Sequence, residues 1–301
     1  MPPPPGLCAR LSPGIRRVLA PNPSPMTLHG TNSYLIGTGD VALIDPGPNL
    51  SAHGDALLAA LDKGERISHI LVTHSHIDHS PLAAPMAQAL GVQVYAYGPT
   101  SAGRSPQMQA LADTGLIAGG EGIDADFTPD VWLADGETLA HGDWSLTAIH
   151  TPGHLSNHLC FALQEAGGDV LLSGDHVMGW ASSLVSPPDG DMGAYMASTR
   201  KLAASDWSII HSGHGAPITD PATRLAFLIQ HREAREAAIL RELAHGPTTI
   251  AALTTTLYTD TPPALHPAAA RNVLAHLLDL AAQNRVTAHP GLGPAATYTL
   301  R

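Results

Sequence analysis

Short apolar runs alternate with glycine, proline and aspartate turns between about residues 34 and 215. Such runs, bounded by turn residues, predict buried β-strands. Two segments, 56–61 and 81–90, have helical spacing instead, although Pro85 fits the second helix less well than Pro81 does. This mixture of strands and helices predicts an α/β or α+β domain. The predicted strands are 41–44, 70–73, 92–97, 146–149, 159–163, 170–172 and 208–210.

The pattern changes after Ile218. Asp220 followed by Pro221 predicts a helix start, because aspartate caps the first turn and proline suits the first helical position. Apolar residues at spacings of three and four then predict three helices and a hairpin, which are typical of a winged helix. These elements are 222–244, 249–258, 267–283, 285–289 and 297–300. We therefore predict a Pro-rich, loosely ordered extension over 1–25, a main domain over 26–220 and a winged-helix-like domain over 221–301.

The composition excludes several classes of protein. The chain has 301 residues, 44% of them hydrophobic, which is enough for a sizeable core. Its two cysteines are too few for a disulfide scaffold, and no run of about 20 apolar residues predicts a membrane span. The N-terminus lacks the features of a signal peptide, so we expect a cytoplasmic protein without membrane contact. The 18 histidines outnumber the 15 lysines and arginines, which raises the question of a metal site.

The segment His74-Ser-His-Ile-Asp-His79 is the most specific chemical signal in the chain. His74 and His76 are two residues apart, so on an extended segment they project to the same side. A polar loop rich in histidine is the alternative, but this cluster directly follows an apolar strand, and further ligand-type residues follow three other predicted strands. Loops at one edge of a rigid sheet are where sites are assembled. We predict one metal site, with the candidate ligands His74, His76, Asp78, His79, His154, Asp175 and His214.

These motifs resemble those of the metallo-β-lactamase-fold hydrolases. The resemblance covers about residues 28–218, because five family motifs occur in order: Ile-Asp45-Pro-Gly, His74-x-His76-x-Asp78-His79, Thr-Pro-Gly-His154, Ser-Gly-Asp175 and Gly-His214-Gly. Together with the C-terminal pattern, the chain resembles the subgroup of beta-lactamase-like protein 2, in the glyoxalase-II-like branch. The resemblance implies an α+β fold, an αββα sandwich followed by a winged-helix-like module.

The same resemblance implies two metal ions, most often zinc. By that resemblance, the first metal is held by His74, His76 and His154 and the second by Asp78, His79 and His214, with Asp175 as a bridge. Five imidazoles and two carboxylates suit zinc, and iron or manganese is compatible. Asp78 is the expected catalytic residue, orienting a metal-bridging hydroxide that attacks a carbonyl or phosphoryl centre.

Five further residues are predicted around this site. Asp45 is expected to hydrogen-bond the backbone of the 73–79 loop, with a plain turn aspartate as the alternative. His150 and His158 flank the third histidine ligand; a satisfied histidine near the core is the favoured interpretation of each, and support of that ligand from behind is the alternative. In the segment 176–191, Trp180 is a candidate for the wall of the substrate pocket, with core packing as the alternative. Tyr195 is a second candidate of the same kind.

We predict hydrolysis of a small ester, thioester, lactone or similar bond. One alternative is a single-strand-preferring, metal-dependent endoribonuclease or phosphodiesterase, and another is a DNA-binding regulator with a metal-sensing domain. Charge argues against both, because residues 1–220 carry 8 basic and 21 acidic residues and Arg271 is the only strong cation of the third C-terminal helix. The expected partner is a small molecule. We expect the winged helix to cover one side of the active-site mouth or to form a homodimer.

Overall fold

The computed structural model describes residues 4–115 and 122–301. Its first sheet has seven strands in sequential order, antiparallel from the first to the fourth and parallel from the fourth to the seventh. These strands are β1 (Cys8–Ser12), β2 (Ile15–Leu19), β3 (Asn32–Ile36), β4 (Asp40–Ile44), β5 (Arg66–Leu71), β6 (Gln93–Ala96) and β7 (Val131–Trp132).

The second sheet has five strands in the order β12-β11-β10-β9-β8. All neighbours are antiparallel except β11 and β12, which are parallel. The strands are β8 (Thr138–His141), β9 (Trp144–His150), β10 (Leu159–Glu165), β11 (Gly168–Gly174) and β12 (Ile209–Ser212). All seven strands predicted between residues 41 and 210 are therefore present.

Helices cover the outer faces of both sheets. The space between the sheets is filled by a buried apolar cluster that includes Ile44 and Phe161. A second cluster lies under α1 (Ser51–Ala59) and α2 (Ala83–Leu90), and a third includes Leu171 of β11 and Leu202 of α4 (Met192–Ala203). Each such leucine contributes about 1.5–3 kcal/mol when fully buried. The layers are those of the predicted αββα sandwich, and the α+β fold class is confirmed.

The C-terminal part has its own core. It contains α5 (Pro221–Leu243), α6 (Ile250–Leu257), α7 (His266–Ala282), and a small sheet of β13 (Thr248–Thr249), β15 (Thr297–Leu300) and β14 (Val286–His289). Val273, Leu277 and Tyr298 are buried there, together with Met108 of α3 (Pro106–Asp113). The predicted helices and hairpin are therefore confirmed. Among residues 4–115 and 122–301, no helix combines the length and the apolar composition that crossing a bilayer requires.

The N-terminal segment differs from the prediction. Residues 8–19 form a hairpin of β1 and β2, where we predicted a loosely ordered extension over 1–25. All five residues of β2 are buried, and Ile15 pairs with Ile36 of β3. The prolines lie outside the two strands, where proline is tolerated, so the proline content of the segment conceals the hairpin. Residues 1–3 lie outside the described part of the chain.

The strand ends determine where the site forms. Asp45 follows β4 and the His74 loop follows β5, and these two strands are parallel neighbours. Asp175 follows β11 and His214 lies just beyond β12, which are also parallel neighbours. Parallel strands end at the same edge of a sheet, so each sheet delivers its polar side chains to one edge. The two edges meet where the candidate metal ligands converge.

Candidate metal centre

Seven side chains converge in two groups. One group consists of His74, His76, His154 and Asp175, and the other of Asp78, His79 and His214; within each group the donor atoms lie within 4.8 Å of one another. These are the seven residues predicted from the sequence as ligands. Strand ends and loops from both sheets are needed to bring them together.

The spacing of the donor atoms fits metal coordination. Nδ1 of His76 lies 2.9 Å from Nε2 of His74 and 3.0 Å from Nε2 of His154. In the other group, Nε2 of His214 lies 3.2 Å from Oδ2 of Asp78. Around a tetrahedral zinc with bonds of about 2.0–2.1 Å, neighbouring donors are roughly 3.3 Å apart. Each group therefore has the dimensions of a single metal site.

Asp175 lies between the two groups. Its Oδ2 is 3.8 Å from Nε2 of His154 and 3.2 Å from Nε2 of His214, while its Oδ1 is 3.4 Å from Nε2 of His79. One carboxylate therefore faces histidines of both groups. Gly213 permits this approach, because a Cβ at that position would lie 2.4 Å from Oδ1 of Asp175. The position is the one a bridging ligand requires.

In four of the five histidines, the ring nitrogen that points away from the cluster contacts another group of the protein. Nδ1 of His79 is 2.9 Å from Oδ2 of Asp45, Nδ1 of His154 is 2.7 Å from the Leu184 carbonyl, and Nδ1 of His214 is 3.0 Å from the Gly30 carbonyl. Nδ1 of His74 is 2.9 Å from the Thr73 hydroxyl. An N–H donated outward leaves the lone pair of the inward nitrogen free for a metal ion.

The charge balance of the site also fits metal binding. Burial lowers the pKa of His74 well below its ordinary value, so this imidazole is neutral, as a ligand must be. Burial acts in the same direction on His214, but the carboxylates of Asp175 and Asp78 outweigh it and raise its pKa to about 10. His214 is therefore protonated near neutral pH, and the proton on its Nε2 occupies the lone pair that a metal cation would take. Nε2 of His79 and Oδ1 of Asp175 are buried without a hydrogen-bond partner among the described residues.

Asp45 anchors the loop that carries four of the seven residues. Its Oδ1 accepts a hydrogen bond from the Thr73 amide at 2.7 Å, and its Oδ2 accepts from the Thr73 hydroxyl at 2.8 Å and faces Nδ1 of His79. The backbone contact expected for Asp45 is therefore present. The carboxylate also orients His79 directly and, through the Thr73 hydroxyl, His74.

We expect Asp45→Ala to lower metal affinity by about 10–100-fold, because outer-shell partners set ligand orientation and basicity. Competition with a chromogenic chelator measures this affinity. Asp143→Ala is a matched control, since Asp143 accepts from the amide and hydroxyl of Thr38 in the same way, away from the cluster. Equal affinities for the two variants would contradict the assigned role.

The two supporting histidines have different positions. His158 is fully buried, accepts from the Asp175 amide at 3.2 Å and has its ring 5.0 Å from that of His74. It therefore contacts the cluster from behind. His150 instead stacks on Tyr97 at 3.6 Å and lies 2.9 Å from the Ser156 carbonyl. The ring of His150 thus contacts the loop that carries His154 and not the candidate ligands themselves, so its support of His154 stays a prediction.

The two predicted pocket residues lie elsewhere. Trp180 lines a separate cleft on the surface, beside Gly215. Tyr195 is fully buried in α4, packed against the ring of His176 and the guanidinium of Arg232. Both assignments to the substrate pocket are therefore corrected, since neither side chain lines the cavity above the metal centre.

A cavity of about 590 Å³ opens above the seven residues. The segment 176–191 does form part of its wall, through Met178 and Leu184. The C-terminal part also contributes to the wall, where Leu265, Ala268 and Arg271 line the cavity. The expectation that the winged-helix-like part covers one side of the mouth agrees with this arrangement.

Three further residues contact the site but are not among those predicted to belong to it. Thr73 links Asp45 to His74, and its position directly before the histidine motif was an available signal. The Thr31 hydroxyl donates to Oδ2 of Asp78 at 3.2 Å, across 47 residues of sequence. Arg271 reaches the cavity from α7. The last two have no local signal, because only the tertiary fold brings them to the site.

Comparison with protein families matches two segments of the chain. Residues 26–214 match the metallo-beta-lactamase superfamily, and residues 249–293 match the beta-lactamase associated winged helix domain. Both assignments agree with the architecture and with the position of the metal centre.

Individual relatives cover most of the chain. The beta-lactamase-like protein 2 homolog of Drosophila melanogaster is 32% identical over 92% of this chain and 91% of its own length. An atrochrysone carboxyl ACP thioesterase of Aspergillus terreus is 30% identical over 79% of this chain. The match spans only 65% of that thioesterase, and similarly less than two thirds of several other fungal relatives.

Among solved structures, a metallo-beta-lactamase family protein from Thermus thermophilus has a TM-score of 0.75 and 28% identity, covering 97% of this chain and 100% of its own.

Proposed function

The chain belongs to the metallo-beta-lactamase superfamily, and from this premise we propose a metal-dependent, dinuclear hydrolase that cleaves small ester-type bonds. The observation that carries the proposal is the pair of donor groups with Asp175 between them at the floor of an apolar cavity. Zinc is the proposed metal, because imidazole and carboxylate donors suit it, with iron or manganese compatible.

Two bound ions would supply an activated water and would polarise the bond under attack. The chain's own residues do the positioning. Asp78 is the one carboxylate of its group, and 20% of its side chain is exposed. It lines the cavity and accepts a hydrogen bond from Thr31, which fixes its orientation. We propose that Asp78 holds the attacking water and also binds one of the metals.

The cavity favours an acyl substrate. Met178, Leu184 and Leu265 give it apolar walls that exclude water from a bound acyl chain. The thioesterase among the relatives makes a thioester the preferred case, with esters and lactones as related substrates. Arg271 is the only arginine or lysine among the described residues that line the cavity. A polynucleotide requires several phosphate contacts, so the endoribonuclease alternative has less support.

Arg271 is expected to select for an acidic group on the substrate. In Arg271→Met we expect KM for a glutaryl thioester to rise by about tenfold, the effect of losing one charged hydrogen bond, while KM for the neutral pentanoyl thioester stays nearly constant. Steady-state kinetics on the two substrates tests this. Arg241→Met, at an exposed position of α5, is the control. An equal rise in both KM values would mean that Arg271 only supports the wall.

A substrate panel tests the proposed function. The protein is assayed with p-nitrophenyl esters, acyl thioesters, lactones, a phosphodiester, RNA and a β-lactam, each beside Asp78→Ala. We expect turnover of esters or thioesters that depends on metal and on Asp78. Faster cleavage of RNA than of every acyl substrate, with binding that weakens steeply in salt, would favour the nuclease alternative instead.

A further inference from the structure

A second cleft, of about 920 Å³, lies beside the metal centre. Residues of β2, the 28–29 loop, the segment 216–220 and the first turns of α5 line it, and so does Trp180. It shares no lining residue with the cavity above the metals. The proposed hydrolase activity leaves this cleft without a role.

Arg17 is the unusual residue of this cleft. It lies in β2 and is only 8% exposed, yet its Nε has no hydrogen-bond partner. Among the residues that the structure describes, its guanidinium forms no ion pair or hydrogen bond to a side chain or carbonyl. The terminal nitrogens are not among the buried unpartnered atoms, so they open onto the cleft. An arginine is always charged, and the fold supplies no counter-charge to this one.

Its neighbour Arg16 lies on the same strand and is also buried, but it has hydrogen-bonding partners. Arg16 is 2% exposed and contacts Glu65 at 2.5 Å, and it also donates to the carbonyls of Ala60 and Gly37. Arg224, in the same cleft as Arg17, donates to the carbonyls of Met178 and Ala181. Arg17 alone of these three lacks a partner, and it borders an open space from which a partner could come.

The surroundings of Arg17 favour an anion. Asp220 is the only carboxylate among the described residues that line the cleft, and it caps α5 by accepting from the Thr223 amide. The N-terminus of this 23-residue helix adds partial positive charge. The walls are apolar and aromatic: Trp180 is 38% exposed and Phe227 is 50% exposed. A ligand there needs an acidic group and an apolar body.

We propose that this cleft binds a small organic anion, a carboxylate or a phosphomonoester. Its acidic group pairs with Arg17 and supplies the missing counter-charge, while its apolar body packs on Trp180 and Phe227. The site is distinct from the substrate cavity, and its existence does not depend on which bond the enzyme cleaves.

Ligand titration of the full-length, metal-loaded protein tests the proposal. The probes are phenylacetate, phenyl phosphate, neutral phenylacetamide and inorganic phosphate, each up to about 10 mM. We expect one or both aromatic anions to bind and to quench fluorescence in a way that Trp180→Phe removes; their relative affinities distinguish carboxylate from phosphate. We expect Arg17→Met to weaken binding at least tenfold and Arg10→Met, an exposed arginine on the neighbouring strand, to leave it unchanged.

Several results would overturn the proposal. These are no saturable binding of either aromatic anion, equal binding of phenylacetamide, equal binding of inorganic phosphate, or binding that survives Arg17→Met but is lost on metal removal. Thermal stability gives an independent test, because removal of a largely buried charge that the fold does not pair should keep or raise the Tm. A Tm that falls by roughly 5 °C or more in Arg17→Met would mean that the fold itself pairs the guanidinium, which also overturns the proposal.

Discussion

Asp78→Ala should reduce kcat/KM by about 10²–10⁴-fold, the range that a positioned proton-transfer or water-orienting group contributes. The reason lies in the geometry of one carboxylate. Oδ2 of Asp78 is 3.2 Å from Nε2 of His214 and 3.5 Å from Nε2 of His79, and the side chain lines the substrate cavity. The substitution removes a ligand atom and a water-positioning oxygen together. Stopped-flow or steady-state assays on the best substrate of the panel measure the loss.

Asp206→Ala is a suitable control, since Asp206 is exposed at the turn after α4. Metal content should be measured in the same samples. A variant that keeps its metal but loses kcat would separate water positioning from metal binding. Turnover that survives Asp78→Ala would place the activity elsewhere, or in a contaminant.

Removal of metal should abolish activity and lower stability. After chelation, five imidazoles and two carboxylates remain crowded together, and a proton on His214 takes the place of the metal cation beside the carboxylates of Asp78 and Asp175. A metal at about 100 times its Kd stabilises the folded state by about 2.7 kcal/mol per site. We therefore expect the Tm to fall by roughly 5 °C or more after exhaustive chelation. Differential scanning calorimetry and the hydrolase assay, before and after chelation, measure both effects.

Adding metal back to the chelated protein is the control for this prediction. Zinc should recover both the Tm and the activity, whereas magnesium, which prefers oxygen ligands, should recover neither. A chelated protein that keeps full activity and an unchanged Tm would contradict a catalytic metal centre.

Much of the site could be predicted because its signal is local. His74, His76, Asp78 and His79 lie within six residues, and Asp175 and His214 follow strands that apolar runs reveal. The sequence does not show the path that a loop takes after a strand ends. Trp180 follows Asp175 closely, yet it packs beside Gly215 in the second cleft, while Met178 and Leu184 face the substrate cavity.

Contacts across long stretches of sequence were also beyond prediction. Arg271 of α7 belongs to the C-terminal part but lines the cavity above the metal centre. From the sequence alone, Arg271 is only the one strong cation of a winged-helix element, which is weak evidence for nucleic-acid binding. Likewise, the hairpin of β1 and β2 was hidden by neighbouring prolines, and with it the buried position of Arg17. In each case tertiary packing, not local pattern, decides the environment.

In the proposed enzyme, two donor groups hold two metal ions, with Asp175 between them. Native mass spectrometry of the purified chain, supported by elemental analysis, tests this most directly. We predict two metal ions per chain, and no more than one in Asp175→Ala. A chain that binds only one ion, or none, at saturating zinc with all seven residues intact would contradict the dinuclear centre.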